Sequence, residues 1–294
     1  MDRFINCIAH KSSDGQLLIG DDYTALFDCG MMFCCEKTIQ NVENALNAAA
    51  DNSRGRTLDY IFLTHSHYDH IGSLPFFRKE WSNVRVVTCE TGAAVLLKDT
   101  PRRVIRELSL AAAETYNIKL NTDYSDDLFH ADIIVKENDI ISLGGISVQI
   151  IETPGHTRDS LAFFIPELKL FIINETPGIL MPDNKVYPCY LTSYNDTINS
   201  INKCCQIPYE HLSMPHRGIA GSKEASGFFE KALEINAACR DFIIDMKNKN
   251  YTEEEMINSY FKKYASEALL SYQPKEAFMA NAKATIASTL KECK

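Results

Sequence analysis

Between residues 62 and 72 the chain reads FLTHSHYDHIG, which puts His65, His67, Asp69 and His70 within six consecutive positions directly after an apolar run. The whole chain holds eight histidines, so three of them in one short stretch require a reason. Imidazole and carboxylate groups bind divalent cations, and they are also the groups that move protons near neutral pH. A strand alternates its side chains, so His65 and His67 at a strand end aim at one point. Asp69 and His70, in the turn that follows, aim at a second point close by. One metal near each point satisfies all four groups, whereas a merely polar turn has no need of this spacing.

Such a cluster needs a strand that stops just before it and a helix that starts just after it. LDYIFLTH reads as that strand, buried and apolar. Upstream, FINCIAH, the turn SSDG, QLLIG and YTALFDCG read as short strands and turns, and KTIQNVENALNAAA carries apolar residues at helical spacing. Downstream come a short helix around SLPFFRKEW, a strand VRVVTC, and helical stretches at GAAVLLKD and RRVIRELSLAAAETY. A second strand-rich half is expected from about Asp132, through DIIVKEND, ISVQIIETPG, SLAFFIPE and LKLFIIN. SYNDTINSINKCC opens with Ser and Asn ahead of a helical pattern, and HLSMPHRG closes the strand-rich part. From Ser222 the pattern changes to three helical segments, SKEASGFFEKALEINAACRDFIIDMKN, TEEEMINSYFKKYAS and PKEAFMANAKATIASTLKEC. The expected division is therefore residues 1–221 as the metal-binding unit and residues 222–294 as a helical extension.

At 294 residues and 45% hydrophobic, the chain has enough apolar surface for one large core with a helical part appended. A formal charge of -9 with scattered basic residues argues against a nucleic-acid partner or an anionic membrane surface and favours a small-molecule substrate. MDRFINCIAHKSSDG lacks the apolar centre of a signal peptide, and no apolar run approaches the ~20 residues of a membrane span, so a cytoplasmic location is expected. The ten cysteines then read as reduced thiols. No C-x-x-C pair is present, and the adjacent pairs Cys34-Cys35 and Cys204-Cys205 suit neither a zinc knuckle nor a redox dithiol. Most read as small buried residues, with Cys29, Cys34 and Cys35 as candidates for a place beside the site.

HSHYDH, together with ALFDCG, ETPGHTRDS and MPHRG, resembles the motifs of the metallo-β-lactamase superfamily over roughly residues 5 to 221. The resemblance implies an α+β fold, an αββα sandwich of two mixed sheets with outer helices and a dinuclear metal site at one edge. It implies that His65, His67 and His156 hold the first metal, and that Asp69, His70 and His216 hold the second. Asp28 becomes the carboxylate that fixes a ligand histidine through its other nitrogen. Where the family has Thr-Gly-Asp and a bridging aspartate, this chain has Asn174 and Glu175 at the corresponding place. Glu175 is therefore assigned as the bridging or second-metal carboxylate. Being one methylene longer, it bridges, binds one metal only, or changes the metal spacing. The mixed nitrogen and oxygen ligand set suits two zinc ions, and iron or manganese accept the same groups.

With two metals ~3.5–4 Å apart, a water held between them loses its proton near neutral pH and becomes the nucleophile. Asp69 is then the catalytic residue that orients it and carries a proton. Arg158 and Arg217, close behind ligands, are candidates for holding a substrate carboxylate or phosphate, against the alternative of pairing with surface carboxylates. Met31, Met32, Phe33, Met181, Tyr187, Tyr190 and Tyr194 lie on loops that border the metals in this fold. They are candidates for an apolar pocket with a tyrosine hydroxyl at an oxyanion, against plain space filling. The extension resembles that of the superfamily's thioesterase-like and quinolone-signal-response branches. This implies helices that cover the substrate entrance or form a homodimer surface. The leading expectation is a metal-dependent hydrolase of a small ester, thioester or lactone. A phosphodiesterase of the same superfamily is second, and a regulatory or ligand-binding protein with a vestigial metal site is third.

Overall fold

The computed structural model describes residues 2–50 and 56–293. The first sheet runs β1 (Phe4–Asn6), β2 (Gln16–Ile19), β3 (Thr24–Phe27), β4 (Tyr60–Phe62), β5 (Arg85–Cys89) and β6 (Ile133–Val135), in that spatial order. Its first strands pair antiparallel and the strands from β3 to β6 pair parallel. The second sheet is built from β7 (Ile140–Ser142), β8 (Ser147–Glu152), β9 (Leu161–Ile165), β10 (Leu170–Ile172), β13 (His211–Met214) and β14 (Gly218–Ile219). Here β10 and β13 are the parallel pair. A hairpin of β11 (Ile179–Leu180) and β12 (Val186–Tyr187) stands apart.

Alternation along the strands sorts the side chains into layers. Phe27, Phe62 and Val87 face Phe163, Leu170 and Ile172 across the two sheets, with the Phe27 and Phe62 rings 5.3 Å apart and Phe163 5.2 Å from Phe27. The intervening residues Leu26, Ile61 and Val86 point outward, onto α1 (Cys35–Ala49), α3 (Leu74–Glu80) and α5 (Asp99–Thr115). On the far side, Phe164, Phe171 and Leu212 meet α6 (Tyr194–Cys204) and the start of α8 (Phe228–Asn248). The layers are helix, sheet, sheet, helix, and the expected αββα sandwich with C-terminal helices is present.

Three expectations need correction. The strand near Asp132 does not open the second half, because β6 pairs with β5 at the edge of the first sheet. Such pairing is set by distant partners and not by local pattern. The segment after Gly221 is not one helix, for α7 (Ser222–Ala225) and α8 are separated at Gly227, whose φ of 68° is left-handed. Finally, β7, β14, the β11–β12 hairpin and the short α10 (Glu267–Leu270) were not anticipated as elements, being two to four residues each.

The last helices, α8, α9 (Glu253–Tyr264), α10 and α11 (Lys275–Glu292), share a core of their own with the hairpin and Tyr190. Phe228 and Phe229, at the head of α8, belong instead to the core of the second sheet. No described helix is long and apolar enough to cross a membrane.

Candidate metal centre

Parallel pairing puts strand C-terminal ends side by side. The ends of β3 and β4 in one sheet, and of β10 and β13 in the other, open onto the same place, and the side chains of interest follow directly after them. After β4 the chain passes His65 and His67 and enters α2 (Tyr68–Ile71), with His67 extended at φ -75°, ψ 150°. After β3 comes Asp28, itself left-handed at φ 56°. It accepts hydrogen bonds from the Thr64 backbone N–H (2.8 Å) and hydroxyl (2.6 Å) and meets His70 Nδ1 at 2.8 Å. That contact turns His70 Nε2 toward the centre. Gly30 completes the motif for a steric reason, since a β-carbon there would stand 2.2 Å from Ser13 Oγ and 2.7 Å from the Asp14 carbonyl.

His156 sits beyond β8 behind Gly155, whose φ of 145° and whose approach to Thr197 leave no room for a side chain. Its Nδ1 contacts the Cys189 carbonyl at 2.6 Å, and its Nε2 faces His67 Nδ1 at 2.9 Å. Asn174, in the place where the family has glycine, is a buried strut. It donates to Thr153 Oγ1 (2.7 Å) and to the Leu161 carbonyl (2.9 Å), and it accepts from the Thr176 N–H (2.8 Å). This fixes the turn that carries Glu175. His216 follows β13 with a left-handed φ of 60° and donates its backbone N–H to Asp14 Oδ2 at 3.1 Å.

Four overlapping groups of potential ligands result, each with its ligand atoms within 4.8 Å of one another: His65 with His67 and His156, Asp69 with His70 and His216, His65 with His70 and Glu175, and Asp14 with Asp28 and His70, the first two being the sets expected from sequence. Glu175 lies between those two sets. Its Oε1 is 2.8 Å from His70 Nε2 and 3.2 Å from His216 Nε2, and its Oε2 is 3.5 Å from His65 Nδ1. Despite that proximity, His65 Nε2, His70 Nε2 and both Glu175 oxygens are buried with no hydrogen-bond partner of proper geometry. A buried polar atom left without a partner costs about 1–3 kcal/mol. A divalent cation fits this donor set of convergent imidazoles and a carboxylate.

Electrostatics divides the centre. Burial, with the His70 charge added, holds His65 well below the ordinary histidine range, and burial together with His67 brings His156 down to about 4. Both rings are neutral at neutral pH, the form that binds metal. Burial also works to lower His70, but Glu175, Asp69 and Asp28 outweigh it and raise His70 well above that range. His216 is raised too, because its close contact with Glu175, together with the charges of Glu175 and Asp69, outweighs burial and the His70 charge. Burial opposes ionisation of Glu175, yet His70 and His65 hold it well below the usual carboxylate range.

A cavity of about 180 Å³ lies over His67, Asp69, His156, Glu175 and His216. Met31 and Met181 line it, whereas Met32 is buried beneath and Phe33 packs against His10 and Tyr116. The tyrosines are elsewhere. Tyr190 is fully buried with its hydroxyl 2.9 Å from Thr289 Oγ1, Tyr194 meets Tyr190 edge to face under Arg240, and the Tyr187 hydroxyl donates to Asp183 and lies 2.8 Å from Ser266 Oγ. They fill space under the C-terminal helices, so neither Tyr190 nor Tyr194 reaches the cavity. The arginines are also corrected. Arg158 is exposed on a separate surface depression, and Arg217, beside the cavity, pairs with Glu224. Cys29, Cys34 and Cys35 do not line the cavity, Cys29 contacting the His70 carbonyl and Cys34 the hydroxyl of Ser13. Cys189 does line it.

Sequence reading missed the loop under His216. Ser12, Ser13 and Asp14 read as a turn in SSDG, but all are buried, and burial pushes the Asp14 carboxyl up to about 6 against the pull of His70 and His216. The one signal available was an aspartate before glycine, common to any turn.

A model of the Metallo-beta-lactamase superfamily matches residues 16–173, more than half of the chain. A metallo-beta-lactamase fold-containing protein of Sulfurisphaera tokodaii is 28% identical over 197 residues, 65% of this chain and 73% of that one. A hydroxyacylglutathione hydrolase of Rhodopseudomonas palustris is 29% identical over 140 residues, 47% of this chain. The match covers only 42% of that hydrolase's length. The crystal structure of a metallo-beta-lactamase family protein from Thermus thermophilus superposes with a TM-score of 0.60 at 17% identity, covering 99% of this chain and 94% of the other. That likeness is one of fold. With the family model matching more than half of the chain, from β2 in the first sheet to β10 in the second, the chain belongs to the metallo-beta-lactamase superfamily.

Proposed function

We propose that the chain is a metal-dependent hydrolase of a small ester, thioester or lactone. His65, His67 and His156 hold one divalent ion, and Asp69, His70 and His216 hold the other. Glu175 serves both, and zinc is the leading candidate for each ion. The observation that carries this reading is the set of buried, partnerless atoms, His65 Nε2, His70 Nε2 and the Glu175 oxygens, converging beneath a cavity. When bound, the metals supply Lewis acidity and an acidified water. The chain's own residues do the rest. Asp69 keeps a side chain 22% exposed while the other carboxylate, Glu175, is sealed in. It is the group able to take a proton from an attacking water and deliver it to a leaving group. Asp28 and the Cys189 carbonyl hold His70 and His156 in the orientation that presents Nε2.

Thioester chemistry is supported by the hydroxyacylglutathione hydrolase relative, and the apolar cavity wall speaks for acyl over phosphoryl transfer. We place the metal-binding unit in residues 1–221 and give residues 222–294 the role of covering the entrance, since Leu269, Tyr272 and Gln273 border the cavity. The test is turnover of ester, thioester, lactone and phosphodiester probes by the metal-loaded chain and by Asp69→Asn. Hydrolysis of an acyl probe that falls by about 10²–10⁴-fold in the variant is the expected result. Phosphodiester turnover alone, or none, contradicts it.

A further inference from the structure

The cavity has an enclosed part and a rim, made by different elements. Met31, Met181, Cys189 and Leu269, all buried, wall the enclosed part, and none of them is charged. Leu108 of α5 stands on the rim, and Ala277, Ala280 and Asn281 of α11 join it there. These three α11 positions are spaced i, i+3 and i+4, so they share one helix face. Two of them are alanine, and their small side chains keep the passage open. Leu108 and Ala280 are exposed and Ala277 is half-buried, so this is the side from which a substrate enters.

Charge is distributed unevenly around the cavity. Among the described residues, its only acidic or basic side chains are the candidate ligands themselves, and no lysine or arginine lines it. The nearby cation Lys11 has its Nζ 5.2 Å from the Tyr272 ring centroid, and Arg217 is engaged by Glu224. A charged group placed against the methionine and leucine wall would lose its hydration and gain no partner. Size is bounded from above as well, since the whole cavity, rim and floor of candidate ligands included, measures about 180 Å³, little more than the ~150 Å³ that accepts benzene.

From this we infer that the acyl group of the substrate is uncharged, apolar and no larger than about a benzene ring, and that the α11 face of Ala277 and Ala280 limits the bulk that passes the rim. Turnover as evidence for this rests on the hydrolase reading above, whereas binding does not. A leaving group departs toward solvent past the rim, so the acyl group takes the enclosed part.

The experiment compares kcat/KM of the zinc-loaded full chain on acetyl, benzoyl, decanoyl and succinyl thioesters of N-acetylcysteamine, for the parent, Ala277→Phe and Ala280→Phe. Both substitutions fall on positions with room at the surface, and thermal unfolding verifies folding. Benzoyl is expected to exceed succinyl and decanoyl by about tenfold or more, and each phenylalanine to lower benzoyl by about tenfold while acetyl changes by less than about threefold. In parallel, the thermal shift given by benzamide and by succinamate is measured on the same proteins. A benzamide shift that Ala277→Phe abolishes, without turnover of any thioester, upholds the pocket and defeats the hydrolase reading. Turnover indifferent to acyl charge and size, or a benzamide shift equal in all variants, overturns the inference.

Discussion

At the residue scale, the second ligand group depends on Asp28. Its carboxylate bonds Thr64 and His70 together and leaves His70 Nε2 facing the centre. Asp28→Ala is expected to lower metal affinity at that group by about 10–100-fold, with the His65, His67 and His156 group retained. Metal titration followed by calorimetry reads the two steps separately. Proton competition gives a second expectation. Because His70 and His216 are raised above the ordinary histidine range, their protonated forms stabilise the metal-free fold below that range, near 6.5. That contribution is lost as pH rises through the raised values. A metal displaces those protons, so the stabilisation it adds is expected to grow with pH and fade in acid. Thermal unfolding with and without zinc at several pH values measures this, and a shift that does not change with pH contradicts it. Much of this site was legible in sequence, because H-x-H-x-D-H spacing concentrates ligand types beyond chance and residue count from His156 located Glu175. What was not legible depends on burial and distant partners. Asp14 looked like any turn residue, Tyr190 and Tyr194 turned into the C-terminal core, and Arg217 found Glu224 seven residues on.

At the scale of elements, LDYIFLTH and SLAFFIPE are legible as apolar runs, and the strands they form, β4 and β9, are buried along their whole length. Phe163 sits between Phe27 and Phe62 at 5.2 and 5.4 Å and is fully buried. Phe163→Ala is expected to destabilise the chain by about 3–5 kcal/mol, read from denaturant unfolding, with the larger value if the three-ring cluster cannot collapse into the gap. A loss under about 1 kcal/mol contradicts this account of the interface. The long helices followed from periodicity, whereas three-residue strands such as β4 and β10 were legible as apolar runs bounded by turn residues. The sheet to which β6 belongs did not, since register with β5 is a property of the pair. The break before α8 was carried by one glycine, Gly227, inside an otherwise helical run.

For the molecule as a whole, the C-terminal helices complete the cavity that the sandwich begins. Asp69, Glu175 and the histidines come from strand ends, while Leu269, Tyr272 and Ala277 come from the last third of the chain. The net charge of -9 is spread over the surface, and among the described residues the cavity itself offers no fixed cation. The most direct test of this account is the metal content of the full chain after reconstitution with zinc and removal of excess, measured by elemental analysis beside His156→Ala and His216→Ala. The account predicts two ions per chain, with about one lost in each variant. No stoichiometric metal in the parent chain, or a content unchanged by both substitutions, contradicts it.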